Sequence, residues 1–484
     1  MVAEPRGRTR ERHHTRNHRA RRKPLLALDT VPGACPDHLR VPFPPQPLTP
    51  AHQEIVVSRI ARRIGSITLA TTLTITAFAA IAVTGLSQSG AETASAASIG
   101  APPPGPGAVP LPGQFVVAVV LGRSGSDTAD VLAPYDVLAS SPDFFVYTIA
   151  ASAAPAVVDG GIWVVPTHTF GEVAAGAAPT PDLVVVPAVN SPAGPEEAAA
   201  REFIVNQYNA GARILGICAG SRLLAASGVL DGLRATSHWS RIAALRTSNP
   251  EVSWVTGQRY VQDGRVTTTG GVTSGIPGSL KVIADMAGDT EANRVGESIG
   301  YPGWKLGGPT EMPVKNFGFE DAAFLMNTAF PWGRPRVAVE LKDGVEEIDA
   351  AALFEVYGYS QGATTSALSA KGFVTTKHGL VVKTSVLDGA TSTVVAGELG
   401  APGSPQGFDA AFEQLSRSSS SSVVQSVSKM IEYPLDRVRQ ERAPLIAQAR
   451  TSLLLVLGLL LALGVGMLPA IILGFVRRRR RALA

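Results

Sequence analysis

The chain reads as an α/β protein, a parallel sheet flanked by helices, set between two apolar spans. Three observations predict this. Short apolar runs rich in β-branched residues alternate with stretches of helical spacing from Phe115 to about Gly288. One of those runs, Ile214–Ile217, ends at a cysteine in a turn of small residues, Cys218-Ala219-Gly220-Ser221. And two long uncharged stretches, Ile64–Leu86 and Ser452–Val476, stand on either side, each next to basic residues.

The spans bound everything else. Ile64–Leu86 has 23 residues, enough to cross a hydrocarbon core of ~30 Å. Arg59, Arg62 and Arg63 precede it, and Arg477–Arg481 follow the second stretch. The positive-inside rule then places both termini in the cytoplasm and residues from about 88 to 450 outside, a two-pass cell-membrane protein. Ser95-Ala96-Ala97 resembles a signal-peptidase site, but a 63-residue leader before the apolar stretch is long for a signal peptide, so an uncleaved anchor is expected. Residues 1–63 carry 13 Lys/Arg against 5 Asp/Glu with no hydrophobic period, and read as a disordered basic arm beside anionic lipid. A net charge of +4 over 484 residues gives no case for nucleic acid as a partner.

The exported region opens with a linker, 87–113, rich in Ala, Gly, Ser and Pro. Phe115–Leu121 is the first strand, continuous and apolar as in a strand buried on both faces. Ala129–Ser140 has helical character, and Phe144–Ile149 is strand two. Gly161–Val165 is a short extra strand and Asp182–Pro187 is strand three. Glu196–Gly211 is helical, and Ile214–Ile217 is strand four. Arg234–Thr236, Tyr260-Val261 and Gly264–Thr268 add short strands before a helix from about Gly278. In such sheets ligands sit at the carboxyl ends of the strands, which is where Cys218 falls. A helix N-terminus beneath a thiol favours the thiolate, so Cys218 reads either as a reactive nucleophile or, as free cysteines often are, as a buried structural residue. The other cysteine, Cys35, lies across the membrane, so no structural disulfide is expected. No metal-ligand spacing and no phosphate-binding glycine loop appears, so neither metal nor cofactor is expected.

Two segments, GICAGSRLLAASGVLDGLRATSHW around Cys218 and RYVQDGRVTTTGGVTSGIPGSLKVIADMAG at Arg259–Gly288, resemble the DJ-1/PfpI superfamily, which has a class I glutamine amidotransferase-like fold. The resemblance covers about Phe115–Pro302. It is strongest to the branch of isonitrile hydratases and the N-terminal domains of AraC-family regulators. It implies a flavodoxin-like fold for residues 114–302. It also implies a carboxylate over the cysteine, four residues before a proline; Asp130, four before Pro134, holds that position. Such an acid can move the proton that addition chemistry needs. The PfpI-type proteases carry His after the cysteine, where Ala219 stands here, and the family's Gly-Gly turn is replaced by Pro187-Ala188-Val189. Ala188 and Ala219 are therefore candidates for an oxyanion hole through their backbone N–H groups alone. His238 is the one histidine near the elbow in sequence; it reads either as a base for Cys218 or, more commonly for such a segment, as part of a structural Ser237-His238-Trp239 turn with Trp239 packed on the core.

Beyond Pro302 the pattern begins again. Arg336–Val356 parallels Val116–Val137, with Asp349 at the position of Asp130. His378–Val382 parallels Gly160–Val164, Ser392–Pro402 parallels Asp182–Pro192, and Phe412–Pro434 parallels Val282–Pro302. No counterpart of the cysteine elbow exists. Residues 332–434 thus read as a degenerate half-repeat. Family members commonly dimerise, so this half is expected to pack on the first as an internal pseudo-partner, with a homodimer as the alternative. The resulting expectation is a membrane-anchored domain with a cysteine elbow that acts as a cofactor-independent hydratase or amidase, or as a domain that binds a small-molecule ligand or senses thiol stress without turnover.

Overall fold

The computed structural model describes residues 50–89, 109–332, 334–386, 407–441 and 445–482. Most of the basic arm, most of the linker, Cys35 and the Ser392–Pro402 match lie outside these residues.

A long helix, α1 (Pro50–Ser89), contains the first predicted span; 22 of its residues, Ile64–Gly85, are apolar enough to cross a membrane. After the linker, β1 (Phe115–Val120) leads through a short turn to α2 (Thr128–Ala139), β2 (Phe144–Ala150), β3 (Ala156–Val158), β4 (Ile162–Val164) and β5 (His168–Thr169). Then follow α3 (Phe170–Ala174), β6 (Leu183–Val186), α4 (Ala198–Ala210), β7 (Arg213–Gly216) and α5 (Ser221–Ser227). The order β5-β2-β1-β6-β7-β11-β10 makes one seven-stranded sheet, completed by β10 (Tyr260–Asp263) and β11 (Val266–Thr269). All its pairs are parallel except the β10–β11 hairpin at one edge. The central strands are buried from end to end, as their uninterrupted Val/Ile/Leu runs require. The α/β reading with a mostly parallel sheet therefore holds.

One helix lies in a segment to which the sequence assigns no element, and another starts earlier than expected. The segment after Ser237 forms α6 (Trp239–Ser248), with His238 as its N-cap, after β8 (Arg234–Ala235) and before the paired β9 (Ser253–Trp254). The helix predicted from Gly278 starts at Gly275 as α7 (Gly275–Ala287), and a separate α8 (Asp289–Ile299) follows. Gly288, at φ 94°, makes the break between them.

The second half runs α9 (Ala322–Ala329), β12 (Arg336–Glu340), α10 (Glu347–Ser360), β13 (Thr364–Ser369), β14 (Phe373–Thr375), β15 (Val381–Lys383), β16 (Ser385–Val386), α11 (Gly407–Ser418) and α12 (Ser421–Ile431). Its first five elements after α9 repeat the order of β1-α2-β2-β3-β4. β12 and β13 pair in parallel, as β1 and β2 do. Asp349 is the third residue of α10, as Asp130 is of α2. The halves do not lie apart. α10 packs on α2, and β15 pairs antiparallel with β4 in a four-stranded sheet, β14-β15-β4-β3. In that pairing Val382 faces Val164, the position to which the sequence comparison matches it. One apolar core runs through both halves, from Val117 and Leu132 to Phe354, Phe412 and Val427.

The chain ends in α13 (Leu445–Ala482), which contains the second predicted span. Its described residues include a shorter apolar stretch, Val456–Pro469.

Candidate functional site

The elbow is built by a strand that stops abruptly. Ile217 is still extended, and Cys218 turns to φ 53°, a left-handed conformation that costs a non-glycine residue roughly 1–2 kcal/mol. The surroundings hold it there. The Cys218 N–H donates to Thr269 Oγ1 at 3.0 Å, and the Cys218 carbonyl accepts from Ser221 Oγ at 3.2 Å and Ser237 Oγ at 3.4 Å. Gly220 permits the turn, because a Cβ there would lie 2.1 Å from the Val186 carbonyl oxygen. Strain of this kind, concentrated on one reactive side chain, is characteristic of functional sites.

Asp130 meets Cys218 as the resemblance implies. Asp127 caps α2 by accepting the Asp130 N–H at 3.2 Å, which fixes the first turn. Pro134 has no N–H to offer the Asp130 carbonyl one turn back. The Asp130 carboxyl is fully buried; its Oδ2 accepts the Ala188 N–H at 2.9 Å. Its Oδ1 has no conventional hydrogen-bond partner, and the Cys218 thiol is set against the carboxyl. Burial, with the neighbouring Asp127 and Asp159 charges, pushes the Asp130 carboxyl well above the usual carboxylate range.

Burial opposes the thiolate that the helix start favours. Cys218 is 2% exposed, and burial followed by the Asp130 and Asp127 charges pushes its thiol well up. The Ala219 N–H at the turn works in the opposite direction but does not prevail. A short helix end cannot outweigh desolvation among several carboxyls. Burial thus opposes ionisation of both partners.

The remaining predicted residues have other duties. The Ala188 N–H is occupied by Asp130, so it is not free to hold an oxyanion; the Ala219 N–H is directed at the Cys218 sulfur. His238 lines the same cavity as Cys218 but is fully engaged. The Ser240 N–H donates to its Nδ1 at 3.2 Å, so Nε2 carries the proton and donates to the Met430 carbonyl at 2.8 Å. Burial depresses its pKa to about 4. It is a neutral tie between the elbow and α12, not a base for Cys218.

The cavity over Cys218 measures about 220 Å³. Asp127, Asp159 and Asn190 stand on its wall, and Arg222 and Arg241 line it as well. Burial raises the Asp159 carboxyl to about 7. The second half adds groups that sequence patterns did not reveal. Tyr359 from α10 lines the cavity and donates its hydroxyl to Asp127 Oδ2 at 3.2 Å. Glu355, one turn earlier, accepts the Ala129 N–H at 3.2 Å. The two are four apart on one face of α10, but only the docking of α10 on α2 aims them at the elbow. Asp349 itself, the sequence match of Asp130, accepts instead from the Gly407 backbone.

A second group also forms only on folding. Asp136 of α2 and Glu347 and His378 of the second half bring one possible ligand atom each within 4.8 Å of one another. His378 Nδ1 lies 2.8 Å from Glu347 Oε2 and 3.6 Å from Asp136 Oδ1. The Ile348 N–H donates to Asp136 Oδ2 at 2.9 Å, and Thr376 and the His378 N–H serve Glu347 Oε1. These atoms satisfy one another, as in a buried ion pair that joins the halves.

Comparison with known proteins agrees with this geometry. The DJ-1/PfpI family model matches residues 116–285. Isonitrile hydratase of Pseudomonas putida is 32% identical over 189 residues, which are 38% of this chain and 79% of that protein. The chain belongs to the DJ-1/PfpI family. The family match contains Asp130, Ala188, Cys218, Ala219 and His238, and ends before the second half that supplies Tyr359 and Glu355. Within the matched region the transcriptional regulator CdhR of Pseudomonas aeruginosa is 40% identical over 89 residues, 18% of this chain and 26% of the regulator. A solved DJ-1 superfamily protein from Salmonella typhimurium is 28% identical, with a TM-score of 0.34, over 40% of this chain and 100% of that one.

Proposed function

We propose that the Cys218 site adds water to a small molecule bearing a carbon–nitrogen multiple bond, without a cofactor. The observation that carries this reading is the pairing of a left-handed cysteine with the buried carboxyl of Asp130 beside a cavity of about 220 Å³. The likeness to isonitrile hydratase supports the substrate class. Asp130 gives its proton to the terminal isonitrile carbon as Cys218 Sγ bonds to that carbon, and the thiol proton passes to the carboxylate just formed. The intermediate is a thioimidate, R–N=CH–S–. Water then adds across the C=N bond, hydroxyl to carbon and proton to nitrogen. The C–S bond breaks as the hydroxyl proton returns to sulfur, which leaves a formamide and restores the thiol. Asp130 serves each proton transfer, so a thiol that rests protonated suits the cycle.

A second reading, a binding or thiol-sensing domain without turnover, is favoured by the committed Ala188 N–H and by the likeness to regulators. Formamide production from a small alkyl isonitrile separates the two. The hydratase reading requires turnover that Cys218→Ala and Asp130→Asn each abolish. Isonitrile binding by calorimetry with no product, unchanged in Cys218→Ala, would establish the second reading instead.

The chain is further proposed to be membrane-anchored, with the Cys218 domain outside. The apolar Ile64–Gly85, the Val456–Pro469 stretch and the Arg477–Arg481 run support this. Alkaline phosphatase placed after residue 113 should be active, and the same enzyme fused at the C-terminus inactive; the reverse pattern would sink the topology. Residues 332–434 are proposed as a degenerate repeat that acts as a built-in partner, supported by the Val382–Val164 pairing of matched positions. The full chain should then sediment as a monomer, and a homodimer formed through α2 would overturn that reading.

A further inference from the structure

The second half carries a buried acid in an unusual place. Glu432 follows α12 at φ 61°, a left-handed conformation. The matching position after α8 is Gly300, at φ 63°, the residue that such a turn ordinarily takes. A glutamate there holds a strained backbone. Its side chain lies over Gly270-Gly271, where a Cβ on Gly271 would come within 2.7 Å of Glu432 Cγ. Oε2 accepts the Gly271 N–H at 2.6 Å and Ser274 Oγ at 2.7 Å. Oε1 is buried and has no partner.

Glu432 lines a cavity of about 210 Å³ that is separate from the one over Cys218. Ser237 and Trp239 line this one, while His238 between them lines the other. Lys315 stands on the same wall set, half-buried. Among the described residues its ammonium makes no hydrogen bond and no ion pair, and it lies beyond 4.0 Å from the Glu432 carboxyl, though near enough for their charges to interact. The neighbouring cations are occupied: Arg246 donates to the Trp254 carbonyl, Arg259 to the Tyr301 hydroxyl, and Lys429 to the Asn316 carbonyl and the Asp321 carboxylate.

An orphaned buried acceptor calls for an N–H or O–H donor. An unpaired, partly desolvated ammonium calls for an anion or carbonyl. A simple cation would satisfy Glu432 but meet Lys315, and a simple anion would do the reverse. We propose that this cavity binds a small zwitterion of amino-acid size, its primary ammonium on Glu432 and its carboxylate on Lys315. The site is independent of turnover at Cys218, but Ser237 links it to the elbow through the Cys218 carbonyl.

The test is thermal unfolding and calorimetric titration of the full chain in detergent, with the proteinogenic amino acids and 4-aminobutyrate as probes. Acetate, methylamine and N-trimethylated glycine serve as controls. At least one probe with a primary ammonium should raise the midpoint, and the controls should not. Glu432→Gln and Lys315→Met should each weaken that binding by roughly tenfold to a hundredfold, the worth of a charged hydrogen bond. Lys315 is only half-buried, so its variant keeps the test open if Glu432→Gln unfolds. Cys218→Ala should bind the probe as the parent does, whatever becomes of the hydratase reading. The proposal is overturned if no probe shifts the midpoint, if the controls bind equally well, or if binding survives in Lys315→Met.

Discussion

Replacing His378 should show how firmly the two halves are joined. His378 sits between two buried carboxylates, Glu347 at 2.8 Å and Asp136 at 3.6 Å. Their side chains are 0% and 1% exposed, and that of His378 is 16% exposed, so water screens the group little. Burial opposes the imidazolium, but the Glu347 hydrogen bond and the two carboxylate charges outweigh it and raise the His378 pKa. For Glu347, burial is likewise outweighed by the His378 hydrogen bond, and its pKa is lowered. Removing the cation leaves two like charges facing each other in the core. Breaking a buried pair in this way costs about 3–5 kcal/mol. Asp136, already raised to about 7 chiefly by burial, can take up a proton and relieve part of that cost. His378→Ala should therefore lose toward the lower end of the range in urea denaturation near neutral pH. A histidine whose folded pKa is raised contributes fully below its unfolded value, ~6.5, and the contribution fades as pH rises through the folded value. The gap between parent and His378→Gln, which keeps a hydrogen-bond donor but no charge, should thus be wider at about pH 6 than at about pH 9. A loss below about 1 kcal/mol for His378→Ala, or a gap that does not narrow with pH, would refute the reasoning.

Three further outcomes are expected of this fold. Gly220→Ala should destroy the elbow, since its Cβ would lie 2.1 Å from one backbone oxygen and 2.9 Å from another; a loss of at least about 3 kcal/mol in denaturant unfolding is expected, against about 1–2 kcal/mol for Ala at the open, left-handed Gly228. Tyr359→Phe removes the donor to Asp127 Oδ2 and should cost about 1–3 kcal/mol, with turnover or binding at the Cys218 cavity reduced more than stability accounts for. Because burial raises Asp136 and Asp159 to about 7, folding takes up protons between their ordinary range near 3.8 and neutrality, so their contribution to stability falls as pH rises through that window. Asp159→Asn should flatten that slope in denaturation curves recorded across it.

The central sheet and the elbow were legible because their signals are local. FVVAVV, LVVV and the apolar end of RILG are short, mostly β-branched runs of the kind buried parallel strands require, and Cys218-Ala219-Gly220 must turn tightly to start α5. Asp130 was legible through the resemblance, with its fixed spacing to Pro134. The ionisation of the site was not. A helix start beside Cys218 argues for a thiolate, and only the packed structure shows how many carboxyls surround it and how little water reaches it. Ala188 misled for a similar reason: its N–H was free in sequence and is bound to Asp130 in the fold. α6 escaped because His238 caps it through a ring nitrogen, a device with no common sequence signature.

Tyr359, Glu355 and Glu432 escaped for a different reason, and it bears on how the second half works. Each carries no motif, because its partner lies on the other half: Asp127, Ala129 and Gly271. The half lacks an elbow of its own, yet it closes the elbow of the first. α10 delivers Tyr359 and Glu355 to the first turn of α2, while α12 delivers the Met430 carbonyl to His238 and Glu432 to the Gly270-Gly271 turn. Each contact buries a polar group that would be costly without its counterpart. The first half alone would leave His238 Nε2–H and the Gly271 N–H without these acceptors and the top of α2 open to water. The Cys218 site is in that sense a product of both halves, and the acids that hold its thiol protonated include one, Glu432, from the half that has no cysteine.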